Sequence, residues 1–486
     1  MSSKRKSKGG QGPSKKSKKN GKRNDDDLSD YDDFHSDASN DESANHSHND
    51  DTNEIDDLPV NDSLRVKGPD HIGVMLICGC ANWDMSGRKA AIKGCKTAHM
   101  GRNLYSPHRI STLSGIRVRV AISGCNAAHS VIITEDWKAM CFGRNEKGQL
   151  GLGDMVRKDV PTYVEELKEH TVVNAAVGRN HTLFLTDRGI VYACGDNKMG
   201  QCGSGNGAQE HLTAVRVRYK GPPIVKVVCG ADFSVILDCK GMLHSFGSPE
   251  YGQLGHNSNG EYIGRANKIS YMCEKVPKII MLYVDKGKDN HATPIEVTDI
   301  LDVACGTNHT VALDSRKRVF AWGFGGYGRL GHADTKDELV PRLVKFFETQ
   351  GRGAKGVVCG SSFSIVYTEN KMSYLFGQTK KTGEANMYPK PIQDLSGWNV
   401  RAAACGNTCV VVAADNSVIS WGPSPAYGEL GHGEIRKSTP NALEVRALEG
   451  IYVESVSCGM HHTLMIAKDE SDAEKEKINL LPEYKL

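Results

Sequence analysis

The chain has 486 residues, of which 39% are hydrophobic, and a formal net charge of +3 at pH 7. No stretch approaches the ~18 consecutive apolar residues that a membrane-spanning helix needs, and no signal-peptide core precedes the charged N-terminus. We therefore expect neither a membrane span nor a secretory signal.

The first 64 residues are predicted to form a disordered tail with two oppositely charged parts. Residues 1–23 carry ten Lys and Arg and no acid, whereas residues 25–57 carry fourteen Asp and Glu and no base. Such segments have too few apolar residues to form a core. Their combined charge of −4 leaves +7 on residues 58–486, so the rest of the chain is mildly basic.

The basic part of the tail has the composition of a nuclear-import arm or of an arm that binds nucleic acid or nucleosomes. Its clustered cations are Lys4, Arg5, Lys6, Lys15, Lys16, Lys18, Lys19, Lys22 and Arg23. A simpler interpretation stays open, in which these residues are a solvated charge run that keeps the protein soluble.

The acidic part of the tail contains three candidate phosphorylation sites. Ser29, Ser39 and Ser47 each have an acidic residue three positions later, a setting that acid-directed kinases prefer. Each phosphate would add about −1.5 to −2 charges and would strengthen an attraction to the basic part. Phosphopeptide mapping from dividing cells tests this expectation, and finding these serines never occupied would contradict it.

A repeat of about fifty residues organises residues 65–470, which we predict to be the folded domain. The first anchor of the repeat is a Gly or Asn, usually preceded by Cys and followed after three positions by His or Phe: Asn126, Gly178, Gly230, Gly306, Gly360, Gly406 and Gly459. The second anchor is a Gly that lies 16 or 17 positions later: Gly143, Gly195, Gly247, Gly323, Gly377 and Gly422. Such a period indicates a stacked or radial array of one unit.

Each repeat has the pattern of short β-strands. His309–Leu313 and Arg318–Trp322 flank a polar turn and have the pattern of a half-buried β-hairpin. One repeat has room for four strands of roughly five or six residues, which is the size of a propeller blade. We therefore predict an all-β fold, a seven-bladed β-propeller.

The two ends of the folded domain are expected to meet. The last repeat stops at Ala467 before its second anchor, and Ile77–Gly79 near the start is an unmatched copy of that missing strand. N-terminal strands are therefore predicted to complete the last blade, which closes the ring and removes exposed sheet edges. Residues 471–486 are predicted to be a charged C-terminal tail.

These motifs resemble the regulator of chromosome condensation repeat family over about residues 65–470. The resemblance rests on the Cys-Gly-x-x-His-Thr segments, on Trp322-Gly323 and Trp421-Gly422, and on Gly-Gln-Leu-Gly-type loops at residues 148–151, 200–203, 252–255, 328–331 and 428–431. Several stretches are more similar to a second, chromosomal-passenger-type branch of the family than to its founding Ran exchange factor: residues 77–84, 322–332, 420–425 and 474–479.

The fifth repeat departs from the family pattern. After Phe376-Gly377 it continues Gln-Thr-Lys-Lys-Thr-Gly383 and has no Gly-x-Leu-Gly segment. The segment before the first repeat is also degenerate and reaches Gly87 late. Both departures predict altered surface loops in an intact ring.

The chemistry-bearing residues of the repeats are predicted to be structural. Six cysteines share one repeat position, where a small buried residue before a close-packed Gly is expected: Cys125, Cys229, Cys305, Cys359, Cys405 and Cys458. We expect the four repeat histidines to lie in the core with their ring nitrogens bonded to neighbouring backbone: His129, His181, His309 and His462. No zinc spacing, Walker motif, activated nucleophile or carboxylate pair is found. We expect no metal, no cofactor and no covalent catalysis.

The longest gap between first anchors, 76 residues, predicts an insertion after the third repeat. Within it, residues 278–285 and 294–298 have the pattern of two strands joined by a charged turn, which places an inserted hairpin at about residues 276–298. Its candidate partner-binding residues are Lys275, Lys278, Lys286 and Lys288. Insertions in repeat arrays often bind partners, although an insertion packed on the rim without function stays open. A second loop, residues 346–355, is predicted to be exposed.

The resemblance implies a function in binding. The founding family member grips the Ran GTPase with one propeller face, engages the nucleosome with the other, and exchanges nucleotide by differential binding. The second branch is linked to Rac-, Ral- and Arf-type GTPases, microtubules, centromeres and the spindle midzone. We expect a non-catalytic binding hub of mitotic chromatin and spindle that regulates small GTPases and supports chromosome segregation and cytokinesis.

Two alternatives stay open: a genuine guanine-nucleotide exchange factor, and a nucleosome-binding chromatin adaptor without a GTPase partner. The expected partners are a small GTPase, chromatin or nucleosomes, and microtubules, and the chain is expected to be a monomer. The resemblance implies a location in the nucleus and nucleolus in interphase, on chromosomes, centromeres, spindle and midbody in mitosis, and partly in the cytoplasm.

Overall fold

The computed structural model describes residues 65–88, 101–264, 267–287, 289, 291–297, 299–380 and 384–485. The predictions for residues 1–64, namely the disordered tail, its basic arm and the three serine sites, lie outside the described residues. None of the helices in the described part is long and apolar enough to cross a membrane.

The strands follow the predicted repeats. β1 (Gly73–Cys80) and β2 (Asn103–Ile110) come first. The first two repeats form β3 (Val118–Ile122), β4 (His129–Thr134), β5 (Ala139–Gly143), β6 (Lys158–Tyr163), β7 (Val172–Val177), β8 (His181–Thr186), β9 (Val191–Asp196) and β10 (Glu210–Arg216). The third repeat and the insertion form β11 (Ile224–Cys229), β12 (Phe233–Asp238), β13 (Leu243–Gly247), β14 (Glu261–Ile263), β15 (Ile269–Tyr271), β16 (Glu274–Ile279), β17 (Val284–Lys286) and β18 (Ala292–Pro294).

The remaining repeats continue the same order. The fourth and fifth form β19 (Ile300–Cys305), β20 (His309–Asp314), β21 (Val319–Gly323), β22 (Glu338–Leu343), β23 (Ala354–Cys359), β24 (Phe363–Thr368), β25 (Ser373–Gly377) and β26 (Asn386–Pro391). The last two form β27 (Val400–Cys405), β28 (Val410–Ala414), β29 (Ser417–Gly422), β30 (Thr439–Glu444), β31 (Val453–Cys458) and β32 (His462–Lys468), followed by α1 (Asp472–Asn479) and β33 (Glu483–Tyr484). Short 3-10 turns lie at Ser111–Leu113, Glu165–Leu167, Gly326–Gly328, Lys345–Glu348, Gln393–Leu395 and Arg446–Leu448.

The sheets are those of an all-β propeller. Repeats two to six each form a separate antiparallel sheet of four strands, and β17 and β18 extend the sheet of the fourth repeat to six. The first and last repeats share one nine-stranded sheet, in which Gly73 of β1 pairs with Val118 of β3. Five blades are thus separate sheets, and the count of seven separate blades stays a prediction. The second strands of the repeats are almost fully buried, because they lie inside their sheets and pack against both neighbours.

The N-terminal strand joins the last repeat, as the sequence predicts. β1 pairs antiparallel with β32 over seven residues, from Gly73 opposite Lys468 to Gly79 opposite His462. β2 then pairs with β1. The two ends of the folded domain are therefore held in one sheet.

The C-terminal residues are folded, so the prediction of a charged tail at 471–486 is incomplete. Ser471 and Glu474 form a capping box that starts α1. β33 then pairs in parallel with β2, with Tyr484 opposite Ile110. Ile478 and Tyr484 are 2% and 6% exposed. These few apolar residues among the charges anchor the segment against the last sheet.

Ile478→Ala is expected to destabilise the protein by about 2 kcal/mol, the low end for a buried Ile-to-Ala change, because a terminal segment can partly close the cavity. Leu480→Ala is the matched control, since Leu480 is 81% exposed. Urea unfolding followed by tryptophan fluorescence measures both. Equal midpoints for the two variants would show that α1 does not contribute to the core.

The repeat histidines are buried, as predicted, and His181, His309 and His462 each explain the Gly that lies three residues before them, whereas Asn126 holds that position before His129. A Cβ at Gly306 would lie 2.0 Å from Cε1 of His309, so only Gly leaves room for the ring. Nε2 of His309 lies 2.9 Å from Oγ of Ser364 in the next repeat, and that hydroxyl donates to the carbonyl of Arg329. Nε2 therefore carries the proton and donates to the hydroxyl.

The same contact recurs between other neighbouring repeats. His129 reaches Thr182 at 2.9 Å and His181 reaches Ser234 at 2.9 Å. His462 reaches Ser130 at 2.8 Å, which joins the last repeat to the first. Nε2 of each ring thus binds a side-chain hydroxyl of the next repeat, whereas backbone partners were expected from the sequence. Burial lowers the pKa of His129 and His462 to about 3 and that of His181 to about 4, so the rings are neutral.

The repeat cysteines lie in the interior as free thiols. Five are buried and Cys229 is half-buried. Burial raises the pKa of Cys125 and Cys229 to about 12, which keeps both thiols protonated and unreactive. Their role as small packing residues is confirmed.

Candidate partner-binding surface

The insertion after the third repeat is split into two segments of similar length. β6 and β10 begin seven residues after their preceding loop glycines, Gly151 and Gly203, whereas β16 begins nineteen residues after Gly255. The chain from β16 to β19 is also longer than the corresponding connection from β6 to β7. The predicted hairpin at 276–298 is therefore found in part: residues 276–279 belong to β16, the outer strand of the third sheet, and the hairpin itself is formed by β17 and β18.

The second segment forms a small hairpin that docks on the fourth sheet. β17 and β18 pair antiparallel, and β17 also pairs in parallel with β22 through Val284 and Arg342. Lys286 forms an ion pair with Glu338, which is 2% exposed and also accepts a hydrogen bond from Arg342 at 2.9 Å. This hairpin is thus held to the rim by a buried charge network.

The four predicted lysines do not form one binding cluster among the described residues. Lys275 and Lys278 are exposed on β16, where Nζ of Lys278 lies 2.6 Å from Oε1 of Glu274. Lys286 faces Glu338, as described above. Lys288 lies outside the described residues. Their role in partner binding stays a prediction.

The first segment of the insertion is a solitary apolar hairpin. β14 and β15 pair only with each other, and Ile263 lies opposite Ile269 in the register. We call Tyr262, Ile263, Ile269 and Met272 the apolar hairpin surface. Their exposed fractions are 48%, 77%, 52% and 72%. Ile263 and Ile269 lie on one face of the hairpin and Tyr262 on the other, because adjacent residues of a strand alternate between faces. Exposed apolar side chains on both faces are typical of a surface that binds another molecule.

The base of this hairpin rests on the third repeat. A Cβ at Gly260 would lie 2.9 Å from Cγ of Pro249, so the chain passes close to the loop that precedes it. Sγ of Cys273 lies 3.6 Å from Sδ of Met199 in the second repeat. These contacts fix the base and leave the strands projecting.

Aromatic side chains continue the surface towards the fourth repeat. Tyr251, two residues after Pro249, stacks against Phe324 with ring centroids 4.8 Å apart. The guanidinium of Arg329 lies 4.5 Å from the ring centroid of Phe324 and 5.8 Å from that of Tyr327. A cation held over aromatic rings stiffens this region. We call Tyr251, Phe324 and Tyr327 the aromatic platform; it begins two residues after Pro249, which lies close to Gly260 at the base of the hairpin.

The propeller axis is spanned by hydrogen bonds at the end that carries the first-anchor loops. Oγ1 of Thr307 in the fourth repeat donates to Oδ1 of Asn126 in the first repeat at 2.9 Å, and it lies 2.7 Å from Oγ of Ser361. These contacts cross the ring rather than follow it. A partner at this end would therefore meet side chains of the loops and not an open channel.

The apolar hairpin was not predicted from the sequence, although a signal for it is present. Tyr262-Ile263 and Ile269-Ser270-Tyr271 are two short β-favouring runs around a turn that contains Gly264. The excess length before β16 would have shown where they lie. The second predicted loop is also less exposed than expected, because Phe347 is 2% exposed and Phe346 stacks on Tyr374 at 4.9 Å.

Comparison with known proteins agrees with the family resemblance. Residues 74–465 match the family model of the RCC1-like domain. The chain is 52% identical to Protein RCC2 of Mus musculus over 423 residues, which cover 87% of this chain and 81% of that protein. Protein RCC2 of Homo sapiens is 51% identical over the same shares of the two chains.

A solved structure shows the same fold. The crystal structure of Prp20p from Saccharomyces cerevisiae, described with its binding properties to Gsp1p and histones, has a TM-score of 0.62 and 19% sequence identity. The match covers 85% of this chain and 95% of that one. At this identity the likeness supports the propeller fold alone.

Proposed function

Because the chain belongs to the RCC1-like family and, within it, to the group of Protein RCC2, we propose that it is a non-catalytic binding hub that regulates small GTPases. The GTPases are of the Rac, Ral or Arf type, and the hub acts on mitotic chromatin and the spindle in chromosome segregation and cytokinesis. The apolar hairpin surface supports this proposal, since it projects from the ring and has 48% to 77% of each side chain exposed.

The hairpin has the features of a protein-docking element. Isolated two-stranded hairpins are only marginally stable in water, so exposed Ile263 and Ile269 are better explained by a partner than by their own packing. Each strand of the hairpin also has one edge without a strand partner in the described structure, where an edge strand of a partner can add. The aromatic platform beside it supplies the residue types that dominate binding energy at interfaces.

Regulation by such a hub needs no covalent step. A partner that binds one nucleotide state of a GTPase more tightly than the other increases the population of that state, and the difference in binding free energy sets the size of the shift. For this regulation the chain needs only a hairpin surface that fits one nucleotide state of the GTPase better than the other, and no cofactor takes part.

The chromatin role rests on the basic arm. The nine clustered cations of residues 1–23 can bind DNA or nucleosome phosphates. Prp20p, described with binding to histones as well as Gsp1p, is an example of both partners on one fold. We propose a nuclear and nucleolar location in interphase and chromosomal, centromeric, spindle and midbody locations in mitosis.

The double variant Ile263→Ser/Ile269→Ser is expected to weaken GTPase binding by about tenfold or more, because exposed apolar anchors at the centre of an interface each contribute more than about 1 kcal/mol. Folding is expected to be unaffected, since both side chains are more than half exposed. Biolayer interferometry with immobilised Ran, Rac, Ral and Arf measures the effect.

Ile435→Ser is the matched control for that experiment. Ile435 is 104% exposed and lies in the sixth repeat, away from the insertion. Its replacement is expected to leave binding unchanged. If the hairpin variant binds as well as the wild type, the docking surface lies elsewhere on the propeller.

A further inference from the structure

Each Gly-x-Leu-Gly loop packs on the next repeat. A Cβ at Gly252 would lie 2.8 Å from Cα of Leu339, and the carbonyl of Gln253 accepts a hydrogen bond from Nε1 of Trp322 at 2.9 Å. The side chain of Leu254 is fully buried. The loop thus inserts one side chain and offers one carbonyl to the neighbouring repeat.

The fifth repeat lacks this loop, and the sixth repeat still carries the surface that would receive it. Trp421 precedes Gly422 as Trp322 precedes Gly323. Thr439 pairs with Gly422 in the sixth repeat, as Glu338 pairs with Gly323 in the fourth. The next residue along each strand, Pro440 or Leu339, therefore holds the same position. Among the described residues, Nε1 of Trp421 makes no hydrogen bond. Among the described residues, the receiving surface is therefore present without a Gly-x-Leu-Gly segment packed on it.

A groove of about 280 Å³ lies at this place, between the fifth and sixth repeats. Leu375, Ile392, Trp421 and Pro440 form its apolar part. Leu375 stands where the third and sixth repeats have Ser245 and Ser420, so it takes up part of the space of the missing loop. The remaining volume is at the lower end for ligand pockets, about 300 Å³, and suits one side chain with its backbone.

The rim of the groove is basic. Lys380 and Lys390 are both exposed and line it, and no Asp or Glu is among its described lining residues. A ligand that enters this groove is favoured if it carries negative charge next to its apolar anchor.

We propose that this groove binds a short acidic peptide that carries a leucine. The leucine enters beside Trp421 and Pro440, as Leu254 packs in the third repeat. A peptide carbonyl accepts the hydrogen bond of Trp421 Nε1, and acidic residues on either side of the leucine meet Lys380 and Lys390. This site is separate from the apolar hairpin surface and does not depend on the proposed GTPase binding.

Fluorescence anisotropy with a labelled peptide tests the groove in the full chain. The probe is Asp-Asp-Gly-Gln-Leu-Gly-Asp-Asp, in which the sequence of residues 252–255 is flanked by acids. Saturable binding is expected, and the variant Lys380→Glu/Lys390→Glu is expected to weaken it by about tenfold or more. Lys168→Glu/Lys240→Glu makes the same charge change at exposed lysines outside the groove and is expected to have little effect.

Two further comparisons separate anchored binding from charge attraction alone. A probe with Ser in place of Leu should bind about tenfold more weakly to the wild-type chain, a result that needs no protein variant to fold. Trp421→Phe keeps an aromatic ring, removes the indole donor and should weaken binding several-fold. Equal affinity for the Leu and Ser probes, or no saturable binding, would overturn the proposal. Self-association of the chain that is lost in Lys380→Glu/Lys390→Glu would also overturn it, because a second copy would then occupy the groove.

Discussion

Lowering the pH from 7 to 5 is expected to destabilise the propeller by about 6 kcal/mol through its four repeat histidines and Glu429 alone, which is enough to unfold many single domains. His332, whose pKa is also lowered to about 3 by burial, adds to this effect. The four repeat histidines are buried and neutral. Burial lowers the pKa of three of them to about 3 or 4 and that of His309 well below its usual value. Unfolding returns these rings to water, where their pKa is about 6.5.

The direction of the effect follows from proton binding. Below pH 6.5 these histidines bind protons in the unfolded chain but stay neutral in the folded chain. The free energy of unfolding therefore decreases as the pH falls towards the pKa values of the folded state. Each histidine contributes about 1.36 kcal/mol per pH unit, or about 2 kcal/mol at pH 5. Glu429 acts oppositely, because burial raises its pKa to about 7, and it offsets about 2 kcal/mol over this range.

Urea titrations at pH 7, 6 and 5, followed by tryptophan fluorescence, measure this dependence. His181→Phe should reduce the slope of the unfolding free energy against pH by about one proton, or 1.36 kcal/mol per unit. Phe is a suitable replacement because Phe233 and Phe363 hold the same repeat position. His291→Gln, at an exposed histidine, is the matched control. An unfolding free energy that does not change between pH 7 and 5 would contradict neutral, buried rings.

Trp322→Ala is expected to destabilise the protein by about 3–5 kcal/mol, the range for removing a large buried aromatic side chain. Trp322 is fully buried between the third and fourth repeats, and its Nε1 donates to the carbonyl of Gln253. Trp322→Phe should cost about 1–3 kcal/mol, because it leaves a small cavity and the carbonyl keeps only the longer hydrogen bond from Oγ1 of Thr310 at 3.3 Å.

Trp421→Phe is the matched comparison, since Trp421 holds the same repeat position next to a repeat without the loop. Its indole donates to no described residue, so the change should cost less than Trp322→Phe by about 1 kcal/mol, the contribution of one hydrogen bond. Differential scanning calorimetry of the four proteins, wild type included, measures the contrast. If Trp421→Phe and Trp322→Phe cost the same, the missing loop has not altered the environment of Trp421.

The repeat and the pairing of its ends follow from the sequence because both depend on local spacing. The distance of 16 or 17 residues between anchors fixes the second and third strands of each repeat, and an unmatched strand copy at Ile77–Gly79 predicts the pairing of β1 with β32. Burial of His181, His309 and His462 also follows, since a Gly three residues before each ring leaves space for it.

The insertion could not be placed from sequence alone because two segments share its extra length. Lys278 lies in a run that suits either an inserted strand or the outer strand of the third sheet, and only the pairing of Ser245 with Lys278 decides between them. The C-terminal segment was missed for a similar reason. Its charged composition does not indicate that Ile478 and Tyr484 are buried, because their burial depends on contacts with distant parts of the chain.

The proposed function is tested most directly by binding and GDP release measured together for Ran, Rac, Ral and Arf. The full chain is compared with a variant in which residues 261–271 are replaced by a Gly/Ser linker. We expect binding to one GTPase, loss of that binding in the linker variant, and no acceleration of GDP release. Accelerated release that needs the hairpin would make the chain an exchange factor. Binding to no GTPase, together with nucleosome binding that needs residues 1–23, would contradict the proposal and leave a chromatin adaptor.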